Sequence, residues 1–542
     1  MPSADAYDPK SVAGKTVEPS ERAQVLVIGA GRAGLTAALA AAQSGLSAVV
    51  VDENPVSYAT MGEDVPLHYG QGMSAAARNG NAAMEAFVAS EPLIEQAFES
   101  GVDLRLRTAC WGLYSPGPGA AWLPGTVAGL TDGERSWLIG AEHVIVAAGR
   151  RDIGLAFPGW DKPGVMGATA ARMLAARYGA LEPRRVVLLG TTAEALEAAL
   201  AIQAAGGEVV AVVEQATAPV GPADLVAAVV EGGAELLLGH VVREVLGASV
   251  EAALVSAVDV DGRAVGEERR IPCDGVVLGV GAVPVIDLLD ALGCATAFQP
   301  ERGGYAPVVG PDQRTSIRNV FAVGDCAGIW AAKSRDLAVA DAEARRAVAA
   351  ILGDRGGAGV EAAPHAVIPE APAYDIEAYR LGWVRASVVE ARGEPPVCQC
   401  EDVTARELVE VRPPRYLGWT QERRNDRSLR ALLGEGLPHP DQVKRLTRAG
   451  MGPCQGRRCR EQVACLLALQ SGERLANVPL ASHRAPVRPI PLASAGQLPE
   501  APAQAEHWDS WFGMHAQWTP FWETPARYTV ATGRGSGPVA SE

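Results

Sequence analysis

The stretch Gln24-Val-Leu-Val-Ile-Gly29-Ala-Gly31-Arg-Ala-Gly34 joins an apolar run to three spaced glycines. Gly29 would permit a tight turn, Gly31 would let the backbone approach a pyrophosphate, and Gly34 would let a helix pack closely on a strand. A diphosphate would then rest on the N-terminus of that helix, where free N–H groups and the helix dipole favour an anion. The motif therefore predicts a dinucleotide-binding loop.

The residues around this loop predict a strand–helix–strand unit. Its elements are expected at 24–28, 33–44 and 47–52. Asp52 ends the second strand 18 positions after Gly34, which is close to the spacing of a carboxylate that binds the ribose of a dinucleotide. The next residue, Glu53, is also assigned to the predicted cofactor site. A glycine-rich turn without a ligand is the alternative.

A second unit of the same kind follows about 160 positions later. Its elements are expected at 186–190, 193–205 and 208–214. Gly190 stands where the glycine motif should begin, but Gly190-Thr-Thr-Ala-Glu-Ala195 lacks the other two glycines. Glu214 still ends the next strand in a ribose-binding position. A second nucleotide, NAD(P) or ATP, and a vestigial fold kept for packing both remain open.

The bulk composition indicates a globular α/β protein of two or more domains. The 542 residues are 48% hydrophobic and 20% charged, with a formal charge of −15. No basic stripe suits nucleic acid, and neither a membrane-spanning run nor a signal peptide is recognised. We expect a cytoplasmic protein, with a peripheral position at the inner membrane as the alternative.

Two later segments each place a glycine at the end of a predicted strand. They are Val146-Ala-Ala148-Gly149 and Asn319-Val-Phe-Ala-Val-Gly324-Asp325. Both resemble the late fingerprints of the flavoprotein reductases that contain two dinucleotide domains. The resemblance implies that FAD binds at the first site and that Asp325 holds its ribityl chain.

Four of the nine cysteines are concentrated in one region, as Cys398-Gln-Cys400 and Cys454-Gln-Gly-Arg-Arg-Cys459. Two close pairs of thiolates can converge on one metal centre. The spacing leaves zinc, a [2Fe–2S] cluster and unliganded thiols open. The strings resemble the bacterioferritin-associated-ferredoxin type of [2Fe–2S] domain, although the last pair is wider than its usual CxxC.

From about residue 22 to 495 the chain resembles the FAD-containing component of heteromeric amino-acid and amine dehydrogenases. This family includes the opine oxidase A-type polypeptide, the hydrogen cyanide synthase B-type polypeptide and the alpha polypeptides of hydroxyproline and dye-linked proline dehydrogenases. Further matching strings are Phe157-Pro-Gly-Trp-Asp-Lys-Pro-Gly-Val-Met166, Leu278-Gly-Val-Gly-Ala-Val-Pro284, Gly303-Gly-Tyr-Ala-Pro-Val-Val-Gly310 and Arg314-Thr-Ser316. Residues 56–70 depart from the family's Gly-Gly-Gln stretch, as does the loop at 190–195.

The resemblance implies an electron-transfer role. A smaller FAD-dependent subunit resembling amino-acid oxidases would oxidise a C–N bond, and this chain would relay the electrons through a [2Fe–2S] cluster and FAD to a quinone or other acceptor. Two alternatives are a self-sufficient NAD(P)H-dependent reductase and a non-catalytic scaffold that holds zinc. No catalytic residue is assigned. His68 and His240 are expected to be surface or core residues, and Cys326 a packed one.

The expected architecture is a two-dinucleotide-domain flavoprotein, in which a second Rossmann-like domain is inserted into the FAD domain, plus a small helical [2Fe–2S] domain. The predicted boundaries are 1–21 extension, 22–155 and 270–354 FAD domain, 156–269 second domain, 355–389 linker, 390–475 cluster domain and 476–542 tail. The Pro/Ala-rich stretch 485–505 is expected to be mobile. Trp508, Trp511, Trp518 and Trp522 are expected either to dock on a partner subunit or to fold back.

Overall fold

The computed structural model describes residues 18–55, 79–117, 123–356, 369–413, 428–436, 439–498 and 500. The departure at 56–70, His68 and the four tail tryptophans lie outside these ranges. Within the part of the chain that is described, no helix combines the length and apolar character needed to cross a bilayer.

The first dinucleotide fold is built on a seven-stranded sheet. Its order is Asp103–Arg105, Ala48–Val51, Glu21–Ile28, Ser136–Val146, Thr126–Thr131 and Ala109–Tyr114, with Val320–Ala322 parallel to the end of Ser136–Val146. Helices Arg32–Gln43 and Leu337–Asp354 cover one face, and helix Asp287–Leu292 packs on the other. Because both faces are covered, the central strand is apolar throughout its second half, and Val25, Leu26 and Val27 are fully buried.

Shorter elements complete this fold. They are the helices Gly80–Ala89, Leu93–Glu99, Asp287–Leu292 and Ala331–Arg335, the 3₁₀ turns Pro300–Arg302 and Gly324–Ala327, and the hairpin of Thr296–Gln299 with Gly304–Pro307.

The second dinucleotide fold has a five-stranded parallel sheet. Its order is Glu235–Leu238, Glu208–Glu214, Arg185–Leu189, Gly275–Leu278 and Val165–Gly167. An antiparallel sheet of His240–Leu246, Ala252–Val258 and Ala264–Pro272 follows it, and the helices are Ala168–Arg172, the π-helical turn Met173–Arg177, Ala193–Ala204 and Ala223–Glu231. The two folds are joined by the antiparallel strands Arg150–Asp152 and Ala282–Pro284.

This sheet corrects the predicted boundary at residue 270. Gly275–Leu278 pairs with Arg185–Leu189 in the second sheet, so the second domain continues to about Leu278 instead of ending at 269. The pairing buries Val276 and Leu278 in the core of the second domain. The chain returns to the first fold only after the joining strand.

The region that contains the four cysteines is small and mainly helical. Its strands are Pro396–Cys398 and Val403–Thr404, and its helices are Ala405–Val409, Leu429–Glu435, Pro440–Thr447 and Arg460–Ser471, followed by the 3₁₀ turn Leu475–Asn477. Helix Leu492–Ala495 lies in the segment after this region. The sequence pattern predicts helices around 404–411 and 460–470, and helices Ala405–Val409 and Arg460–Ser471 occupy these positions. One continuous core runs from Ile153 through Val397 and Cys459 to Val478, so this region is packed on the second fold.

Two stretches predicted as connectors are structured where they are described. Within 355–389, the helix Ile376–Val384 and the π-helical turn Arg385–Val389 bury Tyr379 and Trp383 in that core. Within 485–505, the Val487 N–H donates to the Trp111 carbonyl at 2.8 Å, and Gln497 donates to the Glu134 carbonyl. The prediction for 485–505 followed the Pro and Ala content, whereas the helix within 355–389 lies after the Pro-rich part of that linker and contains no proline. Both structured segments gain packing partners that are distant in sequence.

Candidate cofactor sites

The first glycine loop has the close contacts that its spacing predicts. Gly29 has φ +115°, and an added Cβ would lie 2.3 Å from the Ala147 carbonyl oxygen. A Cβ on Gly34 would lie 1.9 Å from the Gly29 oxygen. Both glycines are therefore required by the backbone itself.

Gly31 differs from these two glycines, because an added Cβ would meet no atom of the described residues within 4 Å. It precedes helix Arg32–Gln43, whose N-terminus receives no capping hydrogen bond from a described side chain and carries no acidic residue in its first turn. The first N–H groups of a helix need acceptors from outside it. Open space beside an uncapped helix N-terminus fits the diphosphate of FAD.

The carboxylate of Asp52 organises this loop. It accepts hydrogen bonds from the Ala30 N–H at 2.5 Å and the Asn54 N–H at 2.7 Å. Burial raises the pKa of Asp52, and these hydrogen bonds oppose the rise. Its neighbour Glu53 pairs with Arg488, so the segment after the cysteine region lies beside the predicted ribose site.

The later fingerprints converge on the same sheet edge. Strands Ser136–Val146 and Val320–Ala322 are parallel neighbours, and Ala148, Gly149, Gly324 and Asp325 follow their carboxyl ends. Ligands of open α/β sheets bind at this edge. The sequence-predicted residues are thus brought together, although the structure by itself assigns no ribityl contact to Asp325.

Arg150 carries no recognised motif and was not predicted, yet it links the two folds. Its guanidinium donates to Asp325 at 2.7 Å and to Glu194 at 2.6 Å, and Glu194 lies on the first turn of the helix in the second fold. Its position directly after Gly149 was the available signal. Arg150 therefore fixes the Asp325 carboxylate at the junction of the two domains.

A buried ion pair supports the Gly324 turn from behind. Lys333 Nζ lies 2.9 Å from Glu343, donates to the Gly324 carbonyl at 2.8 Å, and is covered by the Trp330 ring. Glu343 in turn accepts the Gly324 N–H at 2.8 Å. Burial lowers the pKa of Lys333 and raises that of Glu343, while their mutual attraction opposes both shifts.

The second glycine loop is more closed than the first. Gly190 has φ +91°, and an added Cβ would lie 2.4 Å from the Gly279 oxygen. Thr192 caps helix Ala193–Ala204 by accepting the Ala195 N–H at 3.3 Å. The carboxylate of Glu214, the predicted ribose ligand, is fully buried among donors of the protein itself.

All four clustered cysteines meet at one place. Cys400 Sγ lies 3.5 Å from Cys454 Sγ and 3.9 Å from Cys398 Sγ. The Gly450 N–H donates to Cys398 Sγ at 3.3 Å, and a Cβ added to Gly450 would lie 3.8 Å from Cys459 Sγ. The sulfurs of Cys454, Cys400 and Cys398 therefore form a series, and Gly450 lies between Cys398 and Cys459.

This series does not surround a single point. Among the described residues, no three His, Cys, Asp or Glu side chains are placed to bind one metal ion. A tetrahedral zinc site with Zn–S bonds of about 2.3 Å requires every sulfur pair to be about 3.8 Å apart. Two of the six sulfur pairs, Cys400–Cys454 and Cys398–Cys400, are this close.

A buried charge network connects the cysteine region to the first fold. Arg151 pairs with Asp287 at 2.9 Å and with Glu461 at 2.9 Å, on the helix that starts directly after Cys459. His483 lies 2.7 Å from Asp287. Although burial opposes it, the charges of Arg151 and Arg460 hold the pKa of Asp287 well below its ordinary value.

The remaining residues singled out in the sequence occupy structural positions. Cys326 is fully buried and donates from Sγ to the Val146 carbonyl at 3.0 Å. Burial raises its thiol pKa to about 12. His240 is half-buried, with Nδ1 2.6 Å from the Leu238 carbonyl.

Together, the fold and the open glycine loop define an FAD-type oxidoreductase. Residues 23–351 match the pyridine nucleotide-disulphide oxidoreductase family, and residues 424–497 match the sarcosine oxidase A3 domain. The first match spans more than half of the chain. The chain belongs to the pyridine nucleotide-disulphide oxidoreductase family, whose fold supports the FAD assignment.

Of three similar proteins, two carry names that the resemblance implied, and the third is a sarcosine oxidase polypeptide. The A-type polypeptide of opine oxidase from Agrobacterium tumefaciens (strain Ach5) is 28% identical over 503 residues, which cover 88% of this chain and 92% of the relative. The HcnB polypeptide of hydrogen cyanide synthase from Pseudomonas aeruginosa is 25% identical, with coverage of 87% and 98%. The alpha polypeptide of sarcosine oxidase from Rhizobium meliloti (strain 1021) is 27% identical over 52% of this chain but only 26% of its own length.

A solved structure shares the fold over most of the chain. L-proline dehydrogenase from P. horikoshii superimposes with a TM-score of 0.54 at 19% identity, covering 87% of this chain and 79% of that one. The resemblance drawn from the sequence motifs is thereby confirmed at the level of family and fold.

Proposed function

We propose that this chain is the electron-transfer subunit of a heteromeric dehydrogenase or oxidase acting on an amino acid or secondary amine. A partner flavoprotein subunit oxidises the CH–NH or CH–NH₂ group, and this chain, with FAD and a [2Fe–2S] cluster, passes the electrons to a quinone or other acceptor. The names of the relatives, which are subunits of opine and sarcosine oxidases, support this substrate class and a partner chain.

The observation that carries the proposal is the convergence of four cysteine sulfurs in a region packed on a flavoprotein fold. Cys398, Cys400, Cys454 and Cys459 would hold the cluster. Gly452 lets the chain pass close to the Cys400 thiol, because a Cβ there would lie 2.5 Å from Cys400 Sγ. When bound, such a cluster carries one electron at a time, so it suits a protein that links two-electron donors to other acceptors.

On the FAD side, the chain's own residues position the cofactor. Gly31 and the uncapped N-terminus of Arg32–Gln43 would receive the diphosphate, Asp52 and Glu53 the adenosine side, and Asp325 the ribityl chain. Arg150 holds Asp325 in place. The chemistry of hydride and electron acceptance belongs to the flavin.

Metal and sulfide analysis of the purified full-length chain tests the cluster. We expect about two iron atoms and two acid-labile sulfides per chain. Cys454→Ser should remove most of both, whereas Cys465→Ala should retain them because Cys465 is buried on the adjoining helix outside the sulfur series. Stoichiometric zinc without iron would refute the electron-transfer proposal and favour a structural role.

Co-expression tests the partner. The chain should co-purify with an amino-acid-oxidase-like flavoprotein encoded beside it, and an amine substrate should bleach the flavin of the complex but not that of the isolated chain. Bleaching of the isolated chain by an amine would place substrate oxidation in this chain and overturn the division of labour.

A further inference from the structure

The second dinucleotide fold has a carboxylate with no room for a ribose. Glu214 accepts hydrogen bonds from the Thr191 N–H at 2.9 Å, the Thr191 hydroxyl at 2.7 Å, the Ala216 N–H at 2.9 Å and the Tyr379 hydroxyl at 2.9 Å. An ionised carboxylate offers about four acceptor positions. Three of these donors converge on Oε2 and the Ala216 N–H reaches Oε1, and Glu214 is fully buried, so the group that would bind a nucleotide ribose is enclosed by donors of the protein.

The phosphate position of the same fold is also filled. Thr192 closes the helix N-terminus with its own side chain, and the first turn already contains the carboxylate of Glu194. The Val220 N–H donates to the Thr191 hydroxyl at 3.0 Å. A Cβ on Gly221 would lie 2.1 Å from the backbone carbonyl oxygen of Thr191. The loop that follows strand Glu208–Glu214 therefore packs directly on the loop that replaces the glycine motif.

An aromatic helix covers this edge of the sheet. Helix Ile376–Val384 contributes Tyr379, whose ring packs edge-on against Tyr374 at 5.0 Å and Trp383 at 6.3 Å between centroids. Gly382 of this helix approaches Gln215, because an added Cβ would lie 2.8 Å from its side-chain oxygen. The helix thus lies directly on the end of strand Glu208–Glu214.

We propose that the second dinucleotide fold is an internal docking site that binds helix Ile376–Val384 in place of a nucleotide. The Tyr379 hydroxyl donates to Glu214 in the position that a ribose hydroxyl would otherwise occupy. The same helix packs in one core with Arg460–Ser471, which begins directly after Cys459, so docking anchors the cysteine region. This inference goes beyond the proposed function, since it assigns a role to a fold that the electron-transfer proposal leaves unused.

Nucleotide binding to the intact, FAD-loaded chain tests the proposal first. Millimolar NADH, NADPH and ATP should each leave the Tm unchanged, because a ligand that binds only the folded state would raise it. A saturable rise in Tm with any of the three nucleotides would overturn the docking proposal. A chain found to contain zinc would refute the proposed function but would leave this result untouched.

The Tyr379→Phe variant tests the anchoring role. It removes only the hydroxyl, and we expect a Tm lower by about 2 °C or more, together with several-fold faster proteolytic release of the cysteine region. Tyr114→Phe is the matched control, since Tyr114 is exposed on an edge strand of the first fold and should change neither measurement. Wild-type Tm and proteolysis in Tyr379→Phe would contradict the proposal.

Discussion

The two dinucleotide folds of this chain share one strand–helix–strand arrangement but differ in the groups that line the nucleotide-binding edge. In each, a carboxylate at the end of the second strand accepts an N–H from the glycine loop: Asp52 from Ala30, and Glu214 from Thr191. In the first fold, the helix N-terminus is uncapped and the space beside Gly31 is open. In the second, Thr192 caps the helix and Tyr379 covers the carboxylate.

The difference teaches that the strand–helix–strand frame alone does not make a nucleotide site. The frame supplies the sheet edge and the helix dipole, but binding also requires unsatisfied donors and free volume at that edge. Here the same frame serves a cofactor in one domain and a helix of its own chain in the other.

The largest effect is expected from Gly34→Ala in the first fold. The added Cβ would lie 1.9 Å from the Gly29 oxygen, so the helix must move away from the strand. We expect a loss of about 3 kcal/mol in the free energy of unfolding and little retained flavin, measured by denaturant titration and by flavin absorbance. The control is Gly353→Ala, at an unhindered glycine inside a helix, which should keep the wild-type stability and flavin content. A Gly34→Ala variant that is as stable as the wild type and retains its flavin would show that the close packing is dispensable.

Gly31→Ala separates binding from folding in the same loop. Because its Cβ would enter open space, the free energy of unfolding of the apoprotein should stay close to wild type. FAD affinity should fall at least about tenfold, or about 1.4 kcal/mol, since the methyl group occupies the diphosphate position. Fluorescence titration of the deflavinated chain measures this, and unchanged affinity would place the diphosphate elsewhere.

Glu214→Gln tests the second dinucleotide fold without altering any residue of the first. The amide would present N–H groups to donors that now bind a carboxylate, so we expect about 1–2 kcal/mol of destabilisation with the FAD content unchanged. Glu208→Gln, at the exposed start of the same strand, is the control and should be nearly neutral. A loss of flavin in Glu214→Gln would mean that the two folds are not independent.

The pH dependence of stability reports on the junction between the folds. Burial raises the pKa of Asp152 from 3.8 to about 6, against the hydrogen bonds from Thr169. Between these pH values the folded chain keeps a proton that the unfolded chain has released, so this contribution to stability is lost as pH rises through the window. Relative to Asp152→Asn, the wild type should lose about 1 kcal/mol from pH 4 to pH 7, since solvent screening reduces the full effect. If the free energies of unfolding of the two proteins changed with pH in parallel, Asp152 would be excluded as a source of the pH dependence.

Much of the first site could be predicted from sequence, because its constraints are local. Gly29 and Gly34 are dictated by backbone contacts within a few positions or with the neighbouring strand, and the apolar period marks the strands. The assignment of Gly275–Leu278 to the second sheet could not be predicted, since a short apolar run does not indicate its partner. Neither could the bond between Tyr379 and Glu214, which joins residues 165 positions apart.

The cysteine region shows the same limit. The motif located Cys398, Cys400, Cys454 and Cys459, but the distances between their sulfurs depend on how the strand and the helix meet. Arg151 and Asp287, which connect this region to the first fold, carry no motif at all. Their pairing follows from burial of both charges at one interface.

The most direct test is anaerobic reduction of the purified chain, followed by optical absorption and EPR spectroscopy. Dithionite should bleach the flavin and produce the signal of one reduced [2Fe–2S] cluster, whereas NADH and NADPH should produce neither change over the same period. Rapid bleaching and the same EPR signal with NADPH would contradict the account, because the second fold would then be an open nucleotide site and the chain a self-sufficient reductase.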